Sequence, residues 1–159
     1  MVLATPPEAT RRRVITIAAA AAVAAALPPL LRPSGAAATP AEAAAALAKL
    51  TGGRPTREGR IELRLPQIAE NGNAVPMTVA VDSPMTAAEH VKAIHVVADG
   101  NPLPGVSSFR FTPLAGKAEV TTRLRLAQTQ TVTAIAEMSD GTLYKVAHEV
   151  KVTIGGCGG

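Results

Sequence analysis

The chain has 159 residues and a net charge of +4, with 47% hydrophobic but only 2% aromatic residues. This length allows one domain of ordinary size plus an appendage, and its three aromatic rings (Phe109, Phe111 and Tyr144) are too few for a large aromatic-lined cofactor pocket. Residues 1–38 hold four arginines and one glutamate, so they carry +3 of the charge, and the nearly neutral remainder lacks the basic groove and stacking platforms of nucleic-acid-binding proteins.

The first 38 residues have the three-part pattern of an export signal. Three consecutive arginines at 11–13 precede an alanine-rich apolar segment, residues 14–31, and small residues follow at 36–38. Alanine is only weakly hydrophobic and two prolines interrupt the segment, so we expect a cleaved signal rather than a membrane anchor, with Thr39 as the first mature residue. The arginines resemble a twin-arginine signal, with a general secretory signal as the alternative; both predict export to the periplasm.

A short helix is predicted directly after the signal. Its cap is formed by Thr39, Pro40 and Glu42, its body by residues 43–50 and its stop by Gly52-Gly53. Leu47 and Leu50, three positions apart, are expected to pack the helix onto the domain. Residues 51–59 are expected to form a polar linker.

From residue 60 onward, apolar and polar residues alternate with the period of two that is typical of strands with one buried face. The predicted strands cover residues 61–65, 77–81, 91–98, 107–112, 117–126, 130–138 and 142–154. Turn-forming residues separate them, and Ser139-Asp140-Gly141 predicts a hairpin. About seven short strands at this spacing predict an all-β fold, an immunoglobulin-like antiparallel β-sandwich with the short helix at its N-terminus.

The sequence thus divides into a signal (1–38), a helix and linker (39–59), a sandwich domain (60–154) and a terminal segment (155–159). The sandwich domain contains no recognisable active site. Its histidines, His90, His95 and His148, form no pair at metal-ligand spacing, and its carboxylates are scattered over turns and strand faces. His148 falls on the apolar face of the last strand, where a core or interface histidine is expected. We therefore predict no catalytic residue, no metal and no cofactor.

The last five residues, Gly155-Gly156-Cys157-Gly158-Gly159, surround the only cysteine of the chain with four glycines. Glycine allows the greatest backbone freedom and leaves no bulk beside the sulfur. Three residue steps beyond Ile154 place the sulfur roughly 10 Å past the last strand. This is the geometry of a tethered substrate carrier. An exposed thiol has a pKa of about 8.5, so its activation is expected to come from the enzymes that receive it.

The residues alone leave three alternatives for Cys157. Besides the attachment residue of a carrier, these are an incidental residue of a frayed tail, a cysteine that forms the intermolecular disulfide of a structural exported domain, and the nucleophile of a reductase-like thiol enzyme. A prenylation signal is excluded because only two residues follow the cysteine.

Three features together resemble the SoxY family, the sulfur-carrier subunits of the bacterial thiosulfate-oxidising Sox system. They are the terminal Gly-Gly-Cys-Gly-Gly, the segment Ala-Glu-Asn-Gly-Asn-Ala-Val-Pro-Met at residues 69–77, and the arginine-rich signal. The resemblance implies a sandwich that pairs with a SoxZ-type subunit, with Cys157 as the covalent attachment residue. The swinging arm would consist of Gly155, Gly156, Gly158 and Gly159.

The resemblance also implies a set of transient partners. A SoxAX-type cytochrome would join thiosulfate to the Cys157 sulfur, a SoxB-type hydrolase would release sulfate, and a SoxCD-type dehydrogenase would oxidise the sulfane sulfur that remains. The chain itself would hold no metal or haem and act as a non-catalytic carrier. No nucleic-acid partner and no stable membrane association are expected.

Overall fold

The structure is a computed structural model that describes residues 39–155. The chain divides into two units, residues 1–35 and residues 36–159, and the described residues all belong to the second. The predicted export signal at residues 1–38 lies outside the described part, as does the end of the chain after Gly155. Within residues 39–155, no helix combines the length and the hydrophobicity needed to cross a membrane.

The predicted helix is confirmed as α1 (Pro40–Thr51). Its capping box is complete, since the Thr39 hydroxyl accepts a hydrogen bond from the Glu42 backbone N–H at 3.3 Å and the Glu42 carboxylate accepts one from the Thr39 N–H at 2.7 Å. The helix ends at Gly52, whose φ of 60° is the left-handed conformation that glycine adopts without strain. Local sequence signals therefore set both ends of α1.

Nine strands form the body of the domain within residues 39–155. They are β1 (Thr56–Arg57), β2 (Ile61–Arg64), β3 (Ile68–Ala69), β4 (Val75–Val81), β5 (Val91–Ala98), β6 (Gly105–Arg110), β7 (Ala118–Leu124), β8 (Gln130–Met138) and β9 (Leu143–Val152). The larger sheet has the order β1-β9-β8-β5-β6, with β3 also on β9, and the smaller sheet has the order β2-β4-β7. The longer strands match the predicted ones in order and approximate extent. The all-β immunoglobulin-like sandwich is confirmed.

The two-residue strands β1 and β3 were not predicted, because two residues are too short to show an alternation. Both pair in parallel with the same edge of β9, β1 at Leu143 and Tyr144 and β3 at Lys151 and Val152. Residues 51–59 are therefore not wholly a linker, since β1 joins the larger sheet within them.

The core lies between the two sheets and is filled by the inward faces of their strands. Its largest fully buried side chains are Met77, Ile94, Leu126, Met138, Val75, Val79, Val91, Val96 and Val132. Ile135, Leu143 and Val97 are equally buried but lie outside this cluster. β5 is buried on both faces because α1 covers the outer one, where Ala43 and Leu47 border a crevice with Val97 and Thr133. Leu47 and Leu50 are half-buried, as their predicted packing role requires, while Ala43 is fully buried.

The last strand differs from its predicted pattern at two positions. Val150 is buried and Tyr144, Val146 and Val152 pack against the core, but His148 is exposed and Ile154 is 68% exposed. Val150 and Val152, which follow His148 on β9, pack against the core, so the exposure is confined to the position of His148 and to the chain after β9. His148 was predicted to be a core or interface residue: its exposure shows that a core position is wrong, and an interface position stays a prediction.

Candidate functional site

The described chain ends at the point where the predicted carrier segment begins. Thr153, Ile154 and Gly155 are all exposed, so the chain leaves the sandwich at the surface instead of turning into the core. Gly156, Cys157, Gly158 and Gly159 lie outside the described residues, and their predicted roles stay predictions. The candidate site is therefore the root of the segment, which we define as residues 151–155 with the residues that contact them.

One wall of the root is the segment at 69–77 that carries part of the family resemblance. The Thr153 N–H donates to the Ala69 carbonyl at 3.1 Å, and the Thr153 hydroxyl donates to the Glu70 carbonyl at 3.0 Å. The Gly72 N–H donates to the Ile154 carbonyl at 2.8 Å. These bonds continue the β3–β9 pairing beyond the end of β9, so backbone hydrogen bonds hold the chain as far as Ile154.

Gly72 joins this wall to the next one. It is buried and begins a short 3₁₀ turn (Gly72–Ala74), which the Asn71 side chain caps by accepting from the Asn73 N–H at 2.9 Å. The Gly72 carbonyl accepts a hydrogen bond from the Leu126 N–H at 2.8 Å. One residue, Gly72, therefore bridges the exit of β9 and the loop that follows β7.

The second wall is built on a buried pair of amide side chains, Asn101 (2% exposed) and Gln130 (5% exposed). The Asn101 Oδ1 accepts from the Ala127 N–H and from Gln130 Nε2, both at 2.9 Å, and Asn101 Nδ2 donates to the Arg125 carbonyl at 2.8 Å. Gln130 Oε1 accepts from the Gly100 N–H at 2.8 Å. Buried networks that are fully hydrogen-bonded favour one backbone conformation, here that of residues 125–130.

Sequence reasoning missed these two amide residues. Asn101 was seen only as part of a turn between strands, and Gln130 only as the start of a strand. Their side chains meet across 29 positions of sequence, and no local pattern signals such a contact.

The three histidines considered as metal ligands in the sequence analysis lie apart from the root and from one another. His90 Nδ1 is 3.1 Å from the Thr86 carbonyl, His148 is exposed on β9, and His95 Nδ1 is 2.7 Å from the Ser108 hydroxyl on the outer face of the larger sheet. Among residues 39–155, no three His, Cys, Asp or Glu side chains are grouped so that they could hold a metal ion.

His95 gives the fold a testable pH dependence. Burial lowers the pKa of this half-buried imidazole, with Arg110 adding to the effect and Glu137 opposing it. The unfolded chain takes up a proton at about pH 6.5 while the folded chain resists until lower pH, so we expect the free energy of unfolding to fall as the pH drops below about 6.5. Chemical denaturation at pH 5 to 8 measures this slope.

The His95→Gln variant should flatten the slope that His95 contributes. Ser108→Ala is the matched control, because it removes the hydrogen bond but retains the buried imidazole, and it should keep most of the slope. Identical slopes for the parent chain and His95→Gln would contradict the assignment.

A crevice of about 530 Å³ lies away from the root, beside the end of β4 at Val81. Charged residues border it, but they pair with each other: Arg64 with Glu62 at 2.7 Å and Lys117 with Glu119 at 2.5 Å. The pairing lowers the pKa of both glutamates through hydrogen bonds from their basic partners. This crevice offers a ligand no unpaired charge from these four residues.

A family profile covers most of the chain. It is described as "Sulfur oxidation protein SoxY" and matches residues 47–157, from the middle of α1 to the cysteine. The chain belongs to the SoxY family. The sulfur carrier protein SoxY from Chlorobium limicola f thiosulfatophilum has a similar structure, with 36% sequence identity and a TM-score of 0.60. The match covers 72% of this chain and 98% of that SoxY protein. No curated protein gives a significant match.

More distant structures share the fold of this SoxY family member. A superoxide reductase (neelaredoxin) variant from Ignicoccus hospitalis matches with 22% identity and a TM-score of 0.53, over 58% of this chain and 78% of that one. A putative superoxide reductase from Thermotoga maritima matches with 20% identity and a TM-score of 0.52, over 61% and 93%. At these identities the likeness concerns the sandwich alone.

Proposed function

We propose that this chain is a sulfur carrier of a thiosulfate-oxidising Sox system, in which Cys157 holds the cargo covalently and the surrounding glycines form a swinging arm. The observation that carries the proposal is the family match, which extends through the terminal segment and ends on residue 157, the cysteine. The similar Chlorobium limicola structure is itself described as a sulfur carrier protein.

The architecture suits such a role. A carrier needs a rigid body, a mobile tip and an exit that points outward. The sandwich supplies the body through its buried core, and Thr153, Ile154 and Gly155 form an exposed exit. The four glycines of residues 155–159 supply a tip without side-chain bulk other than the sulfur.

The proposed chemistry balances with Cys157 as a handle. In the loading step, the thiol and thiosulfate form a sulfur–sulfur bond, the thiol proton is released, and two electrons pass to a SoxAX-type cytochrome. A SoxB-type hydrolase then uses water to cleave the terminal sulfone as sulfate, which leaves a persulfide on Cys157. A SoxCD-type dehydrogenase withdraws electrons from this sulfane sulfur while water supplies its oxygen atoms, and hydrolysis of the resulting sulfonate by the SoxB-type enzyme releases sulfate and restores the Cys157 thiol. Each reaction occurs in the partner's active site, so the chain acts as a non-catalytic carrier.

We also propose a location and a permanent partner. The pattern of residues 1–38 supports export to the periplasm by the twin-arginine route, which carries folded proteins. Family membership supports pairing with a SoxZ-type subunit, and export of the folded pair through the one signal would follow.

Intact-mass measurement of the protein from thiosulfate-grown cells tests the carrier role. We expect species heavier by one sulfur atom and by one S₂O₃ unit, both localised to Cys157 by peptide mapping and both removed by a thiol reductant. Growth without thiosulfate supplies the control and should yield the unmodified mass. Recovery of only unmodified chain and a disulfide-linked homodimer would instead favour a structural dimer, and turnover of thiosulfate by the isolated chain would favour an enzyme.

A further inference from the structure

Gly155, the first glycine of the terminal segment, differs from a simple flexible residue because it is packed against backbone. A Cβ atom at this position would overlap the carbonyl oxygen of Ala127 and lie 3.3 Å from its carbonyl carbon. The φ angle of Gly155 lies outside the left-handed region, so its conformation is open to any residue. Only the close approach to Ala127 requires glycine here.

The Ala127 carbonyl belongs to a backbone that is held in place and cannot retreat easily. The buried Asn101 side chain accepts from the Ala127 N–H and donates to the Arg125 carbonyl, and Gln130 fixes Asn101 in turn. Leu126, which lies between Arg125 and Ala127, is fully buried, and its N–H donates a hydrogen bond to the Gly72 carbonyl. A side chain at residue 155 would therefore have to displace the outgoing chain and not the wall.

The outgoing chain is held only up to this point. Ile154 accepts from Gly72 through its carbonyl, which is the last backbone hydrogen bond that the described part of the chain makes before the arm. The contact between Gly155 and Ala127 comes immediately after it. Gly72 thus holds Ile154 by a hydrogen bond, and the Ala127 backbone borders Gly155, the last described residue.

We propose that the Gly155–Ala127 contact is a positioning device that fixes the point and direction at which the arm leaves the sandwich. In this view residue 155 is a glycine because a side chain would not fit beside the Ala127 carbonyl, and free rotation of the arm begins only after it. The inference deepens the proposed function on which it rests, because a carrier must present its thiol to several enzymes from one defined origin.

Distance measurement between two nitroxide labels tests the contact without any thiosulfate chemistry. Cys157 is the only native cysteine, so it is labelled directly, and the exposed Lys145→Cys on β9 takes the second label. We expect Gly155→Ala to shift the most probable distance by roughly 3 Å, about one residue of chain, or to broaden the distribution. The melting temperature should stay the same, because the exposed Gly155 follows every strand.

Three further variants separate steric fit from flexibility. Gly156→Ala removes the same backbone freedom one residue later and should keep the parent distribution. Gly105→Ala is a matched control at an exposed glycine with no atom within 4 Å of the added methyl group. Asn101→Ala changes the Ala127 side of the contact. It removes the side chain that accepts from the Ala127 N–H, so it should broaden the distribution of label distances although Gly155 is retained.

An unchanged distribution for Gly155→Ala, or equal broadening for Gly155→Ala and Gly156→Ala, would overturn the inference. Thiosulfate loading of Cys157 by purified partner enzymes is the second readout, and misplacing the thiol should slow it about tenfold or more in Gly155→Ala. Failure of the parent chain to accept any sulfur would refute the proposed function alone, since the label distances judge the contact independently.

Discussion

Cys157→Ser is expected to abolish thiosulfate oxidation in cells that carry it in place of the parent chain. The hydroxyl oxygen of serine cannot form the sulfur–sulfur bond that loading requires, so no substrate handle remains. The residue follows the last strand in the sequence, and side chains of residues 39–155 build the core described above, so we expect the melting temperature and the amount of exported protein to match those of the parent. Sulfate release from thiosulfate, measured per cell, checks the result.

A relocated thiol makes this experiment stricter. The double variant Cys157→Ser with Gly158→Cys keeps one thiol on the arm but moves it by one residue. We expect it to restore part of the oxidation rate, because the arm still delivers a sulfur atom. If cells with Cys157→Ser alone oxidise thiosulfate as fast as the parent strain, Cys157 is not the attachment residue.

The largest effect on stability is expected from Leu126→Ala. Leu126 is fully buried at the root, between the loop held by Asn101 and the core. Removing a buried leucine side chain costs about 2–5 kcal/mol through lost burial and the cavity that remains. A domain of this size is stable by only about 5–15 kcal/mol, so the loss is a large share of the total. Urea unfolding of the two chains measures the difference.

Leu114→Ala is the matched control, with the same chemical change at a side chain that is 96% exposed. Its free energy of unfolding should stay within about 0.5 kcal/mol of the parent. Equal effects at the two positions would mean that the core does not extend to the root in the way described.

The elements that could be predicted from sequence are those with local signals. Thr39 and Glu42 at its start and Gly52 at its end are the local signals that predict the helix. The longer strands follow from alternation, as in β4, where the alternation predicted Met77, Val79 and Val81 to face inward, and all three are buried. These patterns depend only on residues that are close in sequence, so they can be recognised without knowledge of the fold.

The root could not be predicted because its contacts join distant parts of the chain. Thr153 bonds Ala69 and Glu70 across more than 80 positions, and Asn101 bonds Arg125 and Ala127 across about 25. The exposure of His148, on the same strand face as the buried Val150, is likewise revealed by no pattern within β9. Gly155 looked like one of four equivalent glycines until the position of the Ala127 carbonyl distinguished it.

The parallel strands β1 and β3 have a consequence for how copies of this protein meet. An unpaired strand edge invites association with the same edge of another copy. β1 covers the beginning of the β9 edge and β3 covers its end, which leaves only the short stretch 145–150 uncovered, with the exposed charges Lys145 and Glu149 on it. Edge-to-edge association along β9 is thereby disfavoured, so the larger sheets of two copies are kept from joining into one continuous sheet through this edge.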